Sequence, residues 1–370
     1  MILKAVFWGS LAGLAWTHVG YPVAAAGLRR LRGLEVAKDD ITPSVTLIVP
    51  AHDEQDVIGR RVENLLELDY PEDKLDLVVA SDGSSDRTHE IVRSYDGRVK
   101  LLACERAGKL PTMNRAVRET ESEIVAFGDA NATWAPDALR KLVRSFADPN
   151  VAYVCGQVQF QRQDGTNKEG VYWRYELWLR ESESGLGSIT GGNGAIYAVR
   201  RSDYVEWPFG HDLGFPALMV QRGRRAVYEP EALAFEKPSR DSEDEFRRKV
   251  RMLPWSWRHL FEAGSLRGVP PLYLGQLLSH RVLRYGSGFL HVALLGTSIA
   301  LVDEGVPYQA ALSAQAAFLA LAAAGKLRLP VPGAGLAYYY LLMTGATVAA
   351  LGRYLREGAP LMWEKAEGTR

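Results

Sequence analysis

The chain has little cysteine and no surplus of either charge. Cys104 and Cys155 are its two cysteines in 370 residues. They cannot build a disulfide framework and lack the spacing of a metal site, so they read as two buried thiols in a reducing compartment. Lys and Arg total 44, and so do Asp and Glu. That balance excludes the basic field nucleic acid would need, and no nucleic acid partner is expected. Two phosphate-binding turns are also missing. No G-x-G-x-x-G follows the first strand-like run, which speaks against a dinucleotide enzyme, and no G-x-x-x-x-G-K-[ST] occurs.

What is present is uneven. Apolar residues concentrate at the two ends, the layout of a membrane-anchored soluble domain. Ala5 to Leu28 is long enough to span a bilayer and is followed by Arg29, Arg30 and Arg32. Arginines directly after an apolar run favour a retained helix with a cytoplasmic C-terminal end over a cleaved signal peptide. Residues 1–32 are therefore expected to form a transmembrane helix with a basic flank. Near the C-terminus lie three apolar stretches, about Gly286–Val302, Tyr308–Gly325 and Gly335–Leu351, within a transmembrane region at 286–352. Arg281, Arg284, Lys326 and Arg328 are expected on the cytoplasmic side, and Asp303 and Glu304 outside. Three spans would put the tail, 353–370, outside despite Arg353, Arg356 and Lys365, so one stretch is expected to be re-entrant or interfacial. The segment 263–285 is expected to hold an amphipathic helix at the interface, over Leu272–Tyr285.

Between the ends, 40–262 reads as alternating strands and helices, the pattern of an α/β domain with a mostly parallel sheet flanked by helices. Apolar runs end in polar groups: "VTLIVPAHDE" at Asp53 and Glu54, "VVASDGSSDRT" at Asp82, and "VAFGDANATW" at Asp129 and Asn131. Ligands of such sheets sit at the carboxyl ends of the strands. A carboxylate leaving an apolar strand is costly unless paired, hydrated or bound to a cation. Alternate residues at a strand end share a side, so Asp129 and Asn131 face one ligand. Oxygen donors suit Mg²⁺ or Mn²⁺. An Asx turn would account for Asn131 alone and leave Asp129 unexplained. Asp86 is expected to cap the helix after the second strand.

The ordered set of those three segments with "ERAGKLPTMNRAV", "GGNGAIYAVRR" and "HDLGFPALMVQRGRRAVYEPEALAFE" resembles family 2 glycosyltransferases of the GT-A fold. The apolar ends resemble the membrane-bound branch that includes cellulose, hyaluronan and poly-N-acetylglucosamine synthases. The resemblance is close over about 40–260 and extends to the termini in layout only. It implies an inverting transfer from a nucleotide sugar, expected to be a UDP-sugar, to a lipid-linked or growing glycan acceptor at the cytoplasmic face of the cell membrane. Asp82 and Glu54 would contact the nucleoside, and Lys109 and Asn114 the diphosphate. Asp129 would serve both the nucleotide sugar and, with Asn131, the metal. Asp212 matches the base that takes the acceptor's proton. Gly191 and Gly192 would border the acceptor, beside His211. Arg248 and Arg251 match a region facing the departing diphosphate, or else form a basic face against anionic lipid.

Three positions depart from the family pattern. Asn131 replaces a second Asp and removes a charge. His211 stands where an acid is usual. Met252 holds the place of a Trp, so Trp255 or Trp257 would have to supply an acceptor platform. Pro216 is expected to shorten its helix. Trp173, Tyr175 and Trp178 read as core or as part of the acceptor side. Three or four spans are few for a polymer channel unless copies associate as a homo-oligomer. The competing reading is a non-catalytic membrane subunit of a glycan assembly complex that keeps the fold, and it would predict loss of Asp212, Lys109 or Arg251. All three are present.

Overall fold

The computed structural model describes residues 1–95, 97–160 and 170–360. The chain divides into two compact units. The larger holds Ala25–Pro238 and Phe261–Tyr273. Its eight strands are β1 Val45–Ala51, β2 Leu75–Asp82, β3 Lys100–Cys104, β4 Ile124–Phe127, β5 Thr133–Trp134, β6 Val151–Phe160, β7 Tyr197–Arg200 and β8 Arg225–Glu236. They form one sheet in the order β3-β2-β1-β4-β7-β6-β8-β5. β3, β2, β1 and β4 run parallel, as the strand–helix alternation requires. β7 then enters antiparallel between β4 and β6, and β5 pairs antiparallel with β8. The sheet is thus parallel in its first half and mixed in its second.

Two-residue periodicity sorts the strand side chains onto two faces. Val45, Leu47 and Val49 of β1 join Ile124 and Ala126 of β4 in one core, with Ile58, Val62 and Leu65 of the helix Ile58–Leu66 and Leu139 and Leu142 of the helix Ala138–Val143. Ile48, Val125 and Phe127 face the other way. They meet Met113 and Val117 of the helix Lys109–Arg118, Leu177 of the helix Val171–Gly185, and Phe215 and Met219 of the helix His211–Gln221. Each such aliphatic or aromatic side chain contributes about 1.5–3 kcal/mol on burial. The sheet is therefore held from both sides, and its carboxyl edge is a firm platform. Trp173 anchors its helix to β6 through Nε1–H donating to the Val158 carbonyl at 3.0 Å, whereas Trp178 is exposed. Cys155 is buried and Cys104 half-buried, and both are free thiols.

The second unit holds Met1–Ala24, Ser239–Leu260 and Leu274–Ala359 and is helical. The expected N-terminal span is helical from Ile2 to Arg32, but a π-segment at Trp16–Gly20 interrupts it. Among the described residues, two helices are long and apolar enough to cross a membrane, Val306–Lys326 and Ala334–Glu357. The stretch expected at Gly286–Val302 forms the helix Ser287–Ala300, which at 14 residues is too short for an upright crossing. The expected interfacial helix is present as a helical run from Pro271 to Tyr285, with a π-segment at Leu277–Val282. The helix Ser242–Glu262, expected at the end of the α/β domain, groups almost entirely with this unit. Its helices pack closely: a Cβ on Gly288 would lie 2.4 Å from Val348 Cγ2. Within the unit Tyr340 is hydrogen-bonded to both His18 and His291 at 2.9 Å. The tail beyond residue 360 lies outside the described residues.

Candidate active site

The carboxyl ends of β1, β2 and β4 carry the acids that the sequence singles out. Glu54 follows β1 and is 2 % exposed, and its backbone N–H donates to Thr88 Oγ1. Asp53 takes a left-handed backbone with φ 49° and accepts the Ser85 N–H at 2.7 Å. Asp86 accepts the Thr88 N–H at 2.9 Å, but it stands one residue before the N-cap, which is Arg87 and makes no side-chain capping bond. At the end of β2, Asp82 is fully buried. Its Oδ1 accepts the backbone N–H groups of Ala107 and Gly108 at 2.7 and 2.9 Å, and Oδ2 pairs with Arg106 at 3.0 Å. The Thr112 hydroxyl adds a bond at 3.2 Å. Asp82 thus spends its carboxylate on the loop that opens the Lys109–Arg118 helix and sets where Lys109 emerges.

Lys109 is the first residue of that helix. Its Nζ reaches Asp129 Oδ1 at 2.5 Å, with both side chains partly exposed. Burial works against the Lys109 charge, but the Asp129 charge and hydrogen bond outweigh it, with Asp212 and Glu236 adding to them, and the pKa is raised. Asn114 lies on the same helix, and its amide oxygen accepts the Tyr204 hydroxyl at 2.6 Å. The Gly191–Gly194 loop closes over this pair. A Cβ on Gly194 would stand 3.3 Å from Asp129 Oδ2 and 3.8 Å from Lys109 Nζ. Asn193 pins the loop by donating to the Gly156 carbonyl at 2.8 Å and accepting from the Ala195 and Ile196 amides.

Asp212 enters from the start of the helix His211–Gln221. Burial raises its carboxyl pKa above the usual range; Lys109 pulls it back and Asp129 pushes it further up. The acid of β4, the cation and Asp212 thus feel one another's charge. Asn131 lies in the turn after Asp129, which the Ala132 N–H closes onto the Asp129 carbonyl at 3.2 Å. Among the described residues no three His, Cys, Asp or Glu side chains gather as a metal cluster. One carboxylate and one amide are too few for a complete cage. They fit a hard divalent ion that also takes phosphate and water oxygens.

Four findings go beyond the sequence reading or correct it. His211, expected on the acceptor side, is 3 % exposed and stacks on Phe215 at 4.2 Å, with Nδ1 hydrogen-bonded to the Tyr197 hydroxyl at 3.0 Å. Burial, aided by Lys109, lowers its pKa to about 3, so it is a neutral part of the packing under Asp212. Pro216 does not shorten its helix, which continues to Gln221. Arg61 was invisible as a site neighbour, because charged helix residues read as solvent-facing. It is 1 % exposed, 5.2 Å above the Trp134 ring, with Nη2 2.5 Å from where a Gly128 Cβ would stand. Burial lowers its pKa to about 9, against the pull of Asp129. Tyr153 was also missed; its hydroxyl lies 2.2 Å from a Cβ position on Gly192.

Arg248, Arg251 and Trp255 lie on the helix Ser242–Glu262, in the helical unit. There Arg248 pairs with Glu245 at 3.3 Å, and Arg258 lies 5.3 Å over the Trp255 ring.

A sheet of this order, with an acid and a cation at its carboxyl edge, defines an α/β domain of the GT-A type. Residues 46–206 match the model of Glycosyl transferase family 2. The chain resembles a mannosyltransferase from Pyrobaculum calidifontis, solved with GDP-mannose and Mn²⁺, at a TM-score of 0.71 and 25 % identity, over 95 % of this chain and 99 % of that one. A beta-monoglucosyldiacylglycerol synthase of Trichormus variabilis is 29 % identical over 214 residues, covering 54 % of this chain and 45 % of its own length. An N-acetylglucosaminyltransferase of Rhizobium meliloti is 27 % identical over 295 residues, covering 69 % and 67 %. The chain thus spans less than half the length of the monoglucosyldiacylglycerol synthase. Residues 46–206 are thus similar to family 2 glycosyltransferase domains, and the α/β unit has the GT-A fold.

Proposed function

We propose that this protein is a membrane-bound inverting glycosyltransferase that moves a sugar from a nucleotide sugar to a lipid-linked acceptor. The observation that carries the reading is the convergence of Lys109, Asp129 and the Gly194 loop, with Asp212 coupled to both charges. A cation beside a carboxylate at a strand end suits a diphosphate held with a divalent ion. Asp129 and Asn131 would hold Mg²⁺ or Mn²⁺, which when bound neutralises diphosphate charge. Asp212 removes the proton of the acceptor hydroxyl, whose oxygen forms the new bond to the anomeric carbon as the bond to the diphosphate breaks. A carboxyl with a raised pKa is a stronger base for that step than an exposed aspartate. Lys109 stabilises the leaving diphosphate as a point charge.

A UDP- or GDP-sugar fits as donor; the solved relative of the same length carries GDP-mannose. Two features favour a lipid acceptor. The helical unit has two helices apolar enough to cross a membrane, and one relative is named for a glucosylated diacylglycerol. The Lys4–Glu304 ion pair, at 2.6 Å, joins the two segments that charge counting puts on the non-cytoplasmic side. The test is nucleotide diphosphate release from UDP-, GDP- and dTDP-sugars by full-length protein with added membrane lipid. One donor should turn over, and chelation or Asp212→Asn should stop it. Donor binding without turnover, lipids present, would instead favour a non-catalytic subunit.

A further inference from the structure

The helix that carries Asp212 has a proline where the Asp212 carbonyl needs a partner. In an α-helix the N–H of residue i+4 donates to the carbonyl of residue i. For Asp212 that residue is Pro216, inside the helix His211–Gln221, and proline has no N–H. Two residues earlier, the Gly210 carbonyl is bonded normally by the Gly214 N–H at 2.7 Å. The Asp212 carbonyl instead accepts the Gly192 N–H at 2.6 Å. Gly192 is held on its other faces as well. Its carbonyl accepts from Arg180 Nη2 at 3.4 Å, and the Tyr153 hydroxyl leaves no room for a Cβ. Its neighbour Asn193 is pinned to Gly156.

We propose that Pro216 is a positioning residue. By withholding a donor it turns the Asp212 carbonyl toward the Gly192 N–H, and that bond latches the Gly191–Gly194 loop to the backbone of the base. The loop borders Asp129 and Lys109 through Gly194. One hydrogen bond therefore fixes the distance between the base and the diphosphate end of the site. The inference rests on the reading of Asp212 as the base. An alanine at 216 would supply the missing N–H and draw the carbonyl back into the helix ladder, leaving Gly192 without its acceptor.

The experiment compares wild type, Pro216→Ala and Pro216→Gly as full-length protein in detergent, by amide hydrogen exchange over 187–195 and by donor turnover. Both substitutions restore the N–H, but they act oppositely on helix propensity. With the latch, both variants exchange faster in this segment, by about 3- to 10-fold for one lost hydrogen bond. kcat falls by a similar factor, and the donor KM is unchanged. A merely structural proline gives another pattern: Pro216→Ala raises Tm, exchange at 187–195 stays at the wild-type rate, and kcat is kept. Unchanged exchange in both variants would overturn the latch, and faster exchange with unchanged kcat would overturn its positioning role. If Asp212→Asn stays active, the base assignment fails, while the exchange data still judge the latch.

Discussion

Asp212 is where burial and charge act on one proton. Replacing it with Asn should lower turnover by about 10²–10⁴-fold, the range of general-base catalysis, and leave donor binding intact. Its raised pKa puts the acid limb of the kcat/KM profile above the ordinary carboxylate range. Activity rises with pH through that limb as the base ionises. Lys109 lowers this pKa, so Lys109→Gln should move the limb of the residual activity to higher pH. A limb that stays in place would show that the two groups are not coupled. His211 gives an opposite sign. Its folded pKa, about 3, lies below the unfolded value near 6.5. The native state binds fewer protons in that window, so stability falls as pH drops from about 6.5 toward 3. Tm of a His211→Phe variant should change less steeply over that range than that of the wild type.

At the scale of elements, the glycine loop is shaped by what lies beneath it. Gly192→Ala would drive a methyl into the buried Tyr153 hydroxyl. The expected result is a loss of stability of about 1–3 kcal/mol, typical of overpacking. Tyr153→Phe alone should be nearly neutral, and the double variant should recover much of the loss in a thermal melt. Parallel strands β1 to β4 were legible because each is an apolar run ending in a polar cluster. The acids at those ends could be picked out, but not their partners: that Asp82 serves the Arg106–Thr112 loop is a long-range fact. The antiparallel entry of β7 between β4 and β6 was not legible either, since "GGNGAIYAVRR" shows a turn and an apolar run but not its neighbours. Arg61 escaped because an amphipathic reading gives charged residues to solvent, and His211 was singled out for the acceptor side, yet both are buried.

For the molecule as a whole, the two apolar helices and the α/β unit make distinct demands on solution behaviour. The protein is expected to stay with membranes after high-salt and alkaline washes and to need detergent for release. Release by salt alone would mean electrostatic attachment to the surface and would remove the membrane-spanning reading. The concentration of apolar residues at the two ends was visible in composition. Which stretches reach spanning length was not, because nothing in the apolar runs marks the π-segment at Trp16–Gly20 or the helix start after Gly286. The proposed reaction is direct displacement at the anomeric carbon by an acceptor oxygen that Asp212 deprotonates. The most direct test is the anomeric configuration of the product, read by NMR after turnover of an α-linked nucleotide sugar. A β-linked product is the expected result. An α-linked product would contradict single displacement and, with it, the role given to Asp212.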